Sequence, residues 1–140
     1  MTDDRFHFST PIKVRFRDVD ALGHVNNAVY FTYMEQARIE YLAELDLLTP
    51  DAAAPGFIIA EASCQFKAPI RMGSIIDVKV RVSQLGNSSF IMEYQLDDQA
   101  SGQVMATGRT VNVAFDYAAS RSVPLRPDWR AAFERFEQLA

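Results

Sequence analysis

Between Gly23 and Pro50 the chain contains neither proline nor glycine, and within that stretch its apolar period is helical. Tyr30, Met34, Ala37, Tyr41 and Leu45 recur at three- and four-residue steps, which predicts one unbroken helix from about Asn27 to Leu45. Such a helix runs for about five turns. Asn26 or Asn27 is suited to cap it, because an Asn side-chain oxygen accepts a bond from a free first-turn amide. Val29, Phe31 and Ile39 lie off the main stripe. A helix apolar over so much of its girth is expected to be buried on several sides.

The layer that buries it is readable on either side. Ile76, Val78, Val80 and Val82 alternate with Asp77, Lys79, Arg81 and Ser83, the clearest period-two pattern in the chain. Phe90, Met92, Tyr94 and Leu96 alternate with Ile91, Glu93, Gln95 and Asp97, and LGNSS turns the chain between these two strands. Phe57 to Phe66 is mostly apolar and small, as in a central strand. DDQASG leads into a last strand from Gln103 to Phe115. There the apolar phase shifts from Val104 and Ala106 to Val111, Val113 and Phe115, with Gly108 at the shift, which predicts a bulge. Upstream, Ile12, Val14 and Phe16 alternate with Lys13, Arg15 and Arg17, predicting a strand from Ile12 to Asp18. TPDAAAPG reads as a loop. From Pro127 a short amphipathic helix, about 127–139, carries Trp129, Phe133 and Phe136 on one side. The expected fold class is α+β, an antiparallel sheet that curls around a long central helix. Its long edge has to be covered, and pairing two copies in a homodimer would cover it.

A length of 140 residues fits one domain, residues 1–140, and 49% hydrophobic residues suffice for one core. No stretch approaches the roughly 18 apolar residues of a membrane span. MTDDRFHFST opens with two acids and lacks an apolar run, so it does not read as a secretory signal, and a cytoplasmic location with no membrane partner is expected. Cys64 is the single cysteine, which rules out an internal disulfide. With only His7 and His24 beside it, a usual zinc ligand set is not available, and no metal or cofactor is expected. The net charge of −4 argues against nucleic acid as a partner.

Chemistry concentrates between Val14 and Tyr41. Asp20 lies a few residues before the long helix, with His24 and Asn26 in between. Amides at a helix N-terminus are unpaired and carry about half a positive charge, so they can hold a carbonyl oxygen and stabilise charge developing on it. A carboxylate alongside could attack that carbonyl or activate a water. These are the parts of an acyl-transfer site that uses no Ser, Cys or metal. An Asp ahead of a helix is also a common loop or cap residue, and spacing alone leaves both readings open.

The pattern D-x-D-x-x-G-H-V-N-N-x-x-Y-x-x-Y-x-E-x-A-R, here Asp18 to Arg38, resembles the signature of the 4-hydroxybenzoyl-CoA thioesterase-like family of hotdog proteins. The likeness is dense over this stretch and looser elsewhere. It implies a hotdog fold and an acyl-CoA thioesterase that releases a free acid and coenzyme A. The family's catalytic Asp stands three residues before the motif glycine, which is Asp20 before Gly23. The thioester carbonyl is placed at the N-terminus of the central helix, so a backbone N–H near Asn27 is the implied donor. Gly23, His24, Asn26 and Asn27 form the implied active-site loop. His24 is either a general base or a brace for that loop, and Asp18 is the alternative carboxylate, ranked below Asp20. Glu35 and Arg38 are spaced to pair. Glu61 either assists catalysis from a strand facing the helix or lies exposed at an edge. Cys64 reads as a small core residue.

The phosphates of coenzyme A require only a few local cations. Lys67 and Arg71, in QFKAPIRMGS, flank a segment that resembles the family's P-x-x-x-G connection, near which relatives bind the nucleotide. Lys79 and Arg81 rank lower, as the wet face of a strand. Ser74 follows Gly73 where the family often has Asp, a departure in this turn. Tyr30, Phe31, Tyr33 and Met34 suit an aromatic pocket, an aliphatic pocket or plain core. Two rival readings share the fold: a thioesterase acting on acyl carrier protein, and a non-catalytic module that binds acyl ligands. The resemblance also implies a homodimer or homotetramer.

Overall fold

The computed structural model describes residues 5–48 and 56–139. The order is β1 (Phe8–Lys13), a single 3-10 turn (Phe16–Asp18), α1 (Asn27–Glu44), β2 (Gly56–Phe66), β3 (Ile75–Leu85), β4 (Ser89–Asp98), β5 (Val104–Asp116), β6 (Arg121–Ser122) and α2 (Pro127–Glu137). The strands form one sheet in the order β1-β3-β4-β5-β2, with β6 added to the end of β5. Every pairing is antiparallel. This is the expected α+β hotdog arrangement. Most of the TPDAAAPG loop, residues 49–55, lies outside the described residues. Among the described residues no helix is long and apolar enough to cross a membrane.

Helix α1 follows its sequence period closely. Tyr30, Tyr33, Met34, Ala37, Tyr41 and Leu42 are buried, against sheet residues that include Val78, Val80, Met92 and Leu96. Phe31 and Ile39, off that stripe, are exposed in the single chain, so the expectation of burial on several sides is not met within one copy. Helix α2 begins with Pro127 in its first turn, where the missing N–H is not needed. Its Phe133 and Phe136 pack on Tyr41, and Trp129 on Phe57 and Phe90. Glu137 accepts the Tyr41 hydroxyl at 2.5 Å and the Val82 amide at 3.0 Å. The Val82 amide sits beside a register shift between Val82 and Gln84.

Three local expectations are corrected. The first strand runs from Phe8 to Lys13, not from Ile12 to Asp18. The Asp18 carboxylate turns back to accept the Arg15 amide at 3.0 Å, which ends the extended run and leaves Phe16 81% exposed. Phe57 to Phe66 is an edge strand, not a central one, because among the described residues of the chain only β5 pairs with it. Its small residues Ala60, Ala62 and Ser63 are exposed within one chain.

Gly108 is not a bulge. It pairs in register with Tyr94 and Cys64, and the register shift in β5 falls at Met105, between the pairs Leu96–Ala106 and Asp97–Val104. Gly108 is needed for close approach instead: a Cβ there would lie 2.7 Å from Met34 Cε and 3.2 Å from the Ser63 carbonyl. The apolar phase of β5 shifts because polar side chains occupy its core face. Thr110 and Asn112 are buried there, while Val111 and Val113 point the other way. Tyr94 Oη lies 2.8 Å from Thr110 Oγ1 and accepts Arg38 Nη1 at 3.2 Å. Arg38 also reaches Glu35 at 3.8 Å, the pairing expected from their spacing.

Candidate active site

The segment between Val19 and Val25 is a miniature hairpin. Those two residues bridge, and the Asp20 amide donates to the His24 carbonyl at 2.8 Å. Gly23, at φ +80°, returns its amide to the Asp20 carbonyl at 3.0 Å. That backbone conformation favours glycine, which has no Cβ to clash. Asp20 Oδ1 accepts the Leu22 amide at 2.9 Å and the His24 amide at 3.4 Å. Its Oδ2 has no hydrogen-bond partner among the described residues.

Asn26 resolves the choice of cap. Its side chain accepts the Ala28 amide at 2.9 Å, and its carbonyl accepts the Val29 amide at 2.8 Å. The Asn27 amide is then a first-turn donor with no partner among the described residues, at the positive end of α1. The hairpin is fixed to the β2–β3 connection through Val25 N to Ile70 O at 2.8 Å and a bridge between His24 and Arg71.

These elements enclose one side of an open cleft of about 280 Å³. Asp20, His24 and Asn27 line it, buried Tyr30 contributes to it, and Phe66 to Pro69 complete it. The Tyr30 ring meets Phe66 edge-on at 4.8 Å, and its hydroxyl donates to Ala68 O at 3.4 Å. Burial raises the Tyr30 hydroxyl above its ordinary pKa. The bulged Met105 carbonyl accepts both the Lys67 and Ala68 amides, at 2.9 and 3.1 Å, and so holds that wall.

The fold therefore gathers Asp20, His24, Asn27 and Lys67 at one cleft. Gly23 shapes the turn, Asn26 caps the helix, and Arg71 lies exposed beside the cleft, bridged to His24. The backbone of His24 braces the loop, and its ring has no hydrogen-bond partner among the described residues. Asp18 is buried, held by the exposed Arg15 and the buried Tyr33. Burial pushes its carboxyl up, but bonds from the Arg15 amide and guanidinium and the Tyr33 hydroxyl outweigh this and hold it below the ordinary value. Glu61 is exposed at the edge, 3.4 Å from Arg109. Lys79 and Arg81 are occupied by Asp97 at 2.9 Å and Glu93 at 2.6 Å. Burial pushes the Cys64 thiol up to about 11, which leaves it protonated at neutral pH. The bond of Tyr33 to Asp18 was not legible in the sequence, where Tyr33 stands as a motif position and as a residue for a pocket or the core.

The profile of the thioesterase-like superfamily matches residues 14–133. The chain belongs to that superfamily. This thioesterase is similar to the long-chain acyl-CoA thioesterase FadM of Escherichia coli, with 27% identity over 131 residues, 93% of this chain and 97% of FadM. A Thermus thermophilus thioesterase solved with coenzyme A and zinc superposes with a TM-score of 0.83 at 35% identity, covering 97% of this chain and 98% of that one. The chloroplastic acyl-acyl carrier protein thioesterase ATL3 of Arabidopsis thaliana shares 36% identity over 80 residues, 56% of this chain and 42% of ATL3. The chain is thus a thioester hydrolase. In it, among the described residues, no group of three or more His, Cys, Asp or Glu is placed to hold a metal ion.

Proposed function

We propose that this thioesterase hydrolyses acyl-coenzyme A, with Asp20 as its catalytic carboxylate and the Asn27 amide at the N-terminus of α1 as oxyanion donor. The observation that carries the reading is the presence of Asp20 and Asn27 at one cleft, with Oδ2 of Asp20 free of other bonds among the described residues. The Oδ1 bonds fix the carboxylate and leave Oδ2 to react. The helix amide polarises the carbonyl and stabilises the tetrahedral oxyanion. In one route Oδ2 attacks the carbonyl carbon, the C–S bond breaks, the thiolate leaves and takes a proton from water, and a second water hydrolyses the mixed anhydride. In the other, Oδ2 takes a proton from a water that attacks the carbonyl carbon, the C–S bond breaks, and the leaving thiolate takes that proton from Oδ2. Lys67 on the cleft wall and Arg71 beside it supply charge for the phosphates of coenzyme A, while Gly23, His24 and Asn26 keep the loop in shape.

Asp20→Asn should lower kcat roughly a hundredfold or more against an acyl-CoA panel, and retained activity would overturn the assignment. Single turnover in oxygen-18 water separates the routes, since only the anhydride route labels Asp20. The partial likeness to ATL3 favours acyl carrier protein as the second donor to test, by comparing rates on the two carriers.

The edge of β2, unpaired among the described residues, supports a homodimer, alone or within a homotetramer. The acyl group would then lie between α1 of one subunit and the sheet of its partner. Light scattering on the eluting protein tests this, and a monomer at working concentration would refute it. A cytoplasmic location is part of the same reading.

A further inference from the structure

We infer that Asp18 is a positioning residue, which ties the Asp20 turn to α1 through Tyr33 and so fixes the spacing between the carboxylate and the Asn27 amide. This rests on the assignment of Asp20 as the catalytic carboxylate.

Asp18 is 3% exposed, buried at the root of the loop that carries Asp20. Its Oδ2 accepts the Tyr33 hydroxyl at 2.8 Å and the Arg15 amide at 3.0 Å, and its Oδ1 accepts Arg15 Nη2 at 3.1 Å. Its carbonyl accepts the Asn26 amide at 3.0 Å. One residue thus holds the 3-10 turn, the cap of α1 and a side chain from the second turn of α1. The bridge between Val19 and Val25 and the bond from Asp20 N to His24 O make the intervening hairpin one unit, tied to α1 at Asp18 and to the β2–β3 connection through Val25 and His24.

The core does not require this arrangement. Met34, Ala37, Tyr41 and Leu42 already seat α1 on the sheet. A buried carboxylate carries a desolvation cost that only its bonds offset. Its return is geometric: reaction rates fall steeply when a catalytic group is displaced by a fraction of an ångström.

Tyr33→Phe removes one hydroxyl and keeps the ring, so the fold should survive. The expected result is a loss of about tenfold in kcat, with KM changed by less than about twofold. The melting temperature should stay within about 4 °C of wild type. Because the effect acts through Asp20, adding Tyr33→Phe to Asp20→Asn should change the residual rate by less than about twofold. A kcat for Tyr33→Phe within about twofold of wild type, beside an inactive Asp20→Asn, would overturn the positioning role and leave the assignment of Asp20 intact. An equal loss in both backgrounds would also overturn it, as the mark of a merely structural part. Full activity in Asp20→Asn would instead remove the proposed function, and this inference with it.

Discussion

The amide of Asp20 donates to the carbonyl of His24 at 2.8 Å, and this bond closes the turn that presents the Asp20 carboxylate to the cleft. The turn is possible because Gly23 holds φ +80°. Among the described residues, no atom beyond Gly23 and its two chain neighbours lies within 4 Å of where a Cβ would sit, so Gly23→Ala brings strain without a clash. It should cost about 1 kcal/mol of stability and lower kcat further than that loss explains, because the turn carries the carboxylate. Urea unfolding alongside steady-state kinetics checks both; unchanged kcat would show that the turn tolerates another conformation.

Asp18 should make stability depend on acid in one direction. Its carboxyl is held below the ordinary value of 3.8 in the folded state. The ionised form therefore stabilises the fold at pH values above 3.8, and that contribution disappears as pH falls through the lower folded value. Asp18→Asn should be less stable than wild type near neutrality by about 1–3 kcal/mol, and the gap should narrow in acid. Unfolding midpoints from pH 7 downward would show a gap of constant size if Asp18 carried no such linkage.

Glu137 should act with the opposite sign. Burial raises its carboxyl above 4.5, with the Tyr41 hydroxyl, the Val82 amide, His7 and Arg81 opposing in part. Ionisation in the folded state is therefore unfavourable, and stability falls as pH rises from 4.5 through the folded value. Glu137→Gln keeps an acceptor for Tyr41 and Val82 and removes the charge. Relative to this variant, wild type should lose stability as pH rises across that window; parallel pH profiles would contradict the linkage.

Gly108→Ala should be destabilising by about 1–3 kcal/mol, because the new methyl meets Met34 and approaches the Ser63 carbonyl. Met34→Ala should relieve part of this, so the double variant should be less destabilised than the two single losses added together. Additive losses would mean that the contact with Ser63 dominates.

Local patterns made much of this protein legible. The period of α1, the alternation in β3 and β4 and the apolar side of α2 follow from neighbours in sequence that share a face. The motif from Asp18 to Arg38 brought forward Asp20, Gly23, His24, Asn26 and Asn27, because the whole hairpin and helix N-terminus are contiguous in sequence. Phe16 and Asp18 misled as strand positions, since an alternating pair looks the same when a carboxylate folds back on an amide. β5 misled at Gly108, since a core face of Thr110 and Asn112 reads as solvent until Tyr94 and Arg38 are beside it.

The sequence by itself determined a long helix, an antiparallel sheet and a carboxylate next to a free helix end. The tertiary structure decided which carboxylate reaches a cleft. Asp18 is drawn inward by Tyr33, which stands on α1, while Asp20 is exposed and keeps one oxygen free of bonds among the described residues. The far wall of that cleft was also a tertiary matter. Lys67 and Ala68 are set by the bulged Met105 carbonyl of β5, a hydrogen bond across the sheet between residues far apart in the chain. Periodicity reports which face a residue occupies, and only packing of distant segments reports what that face meets.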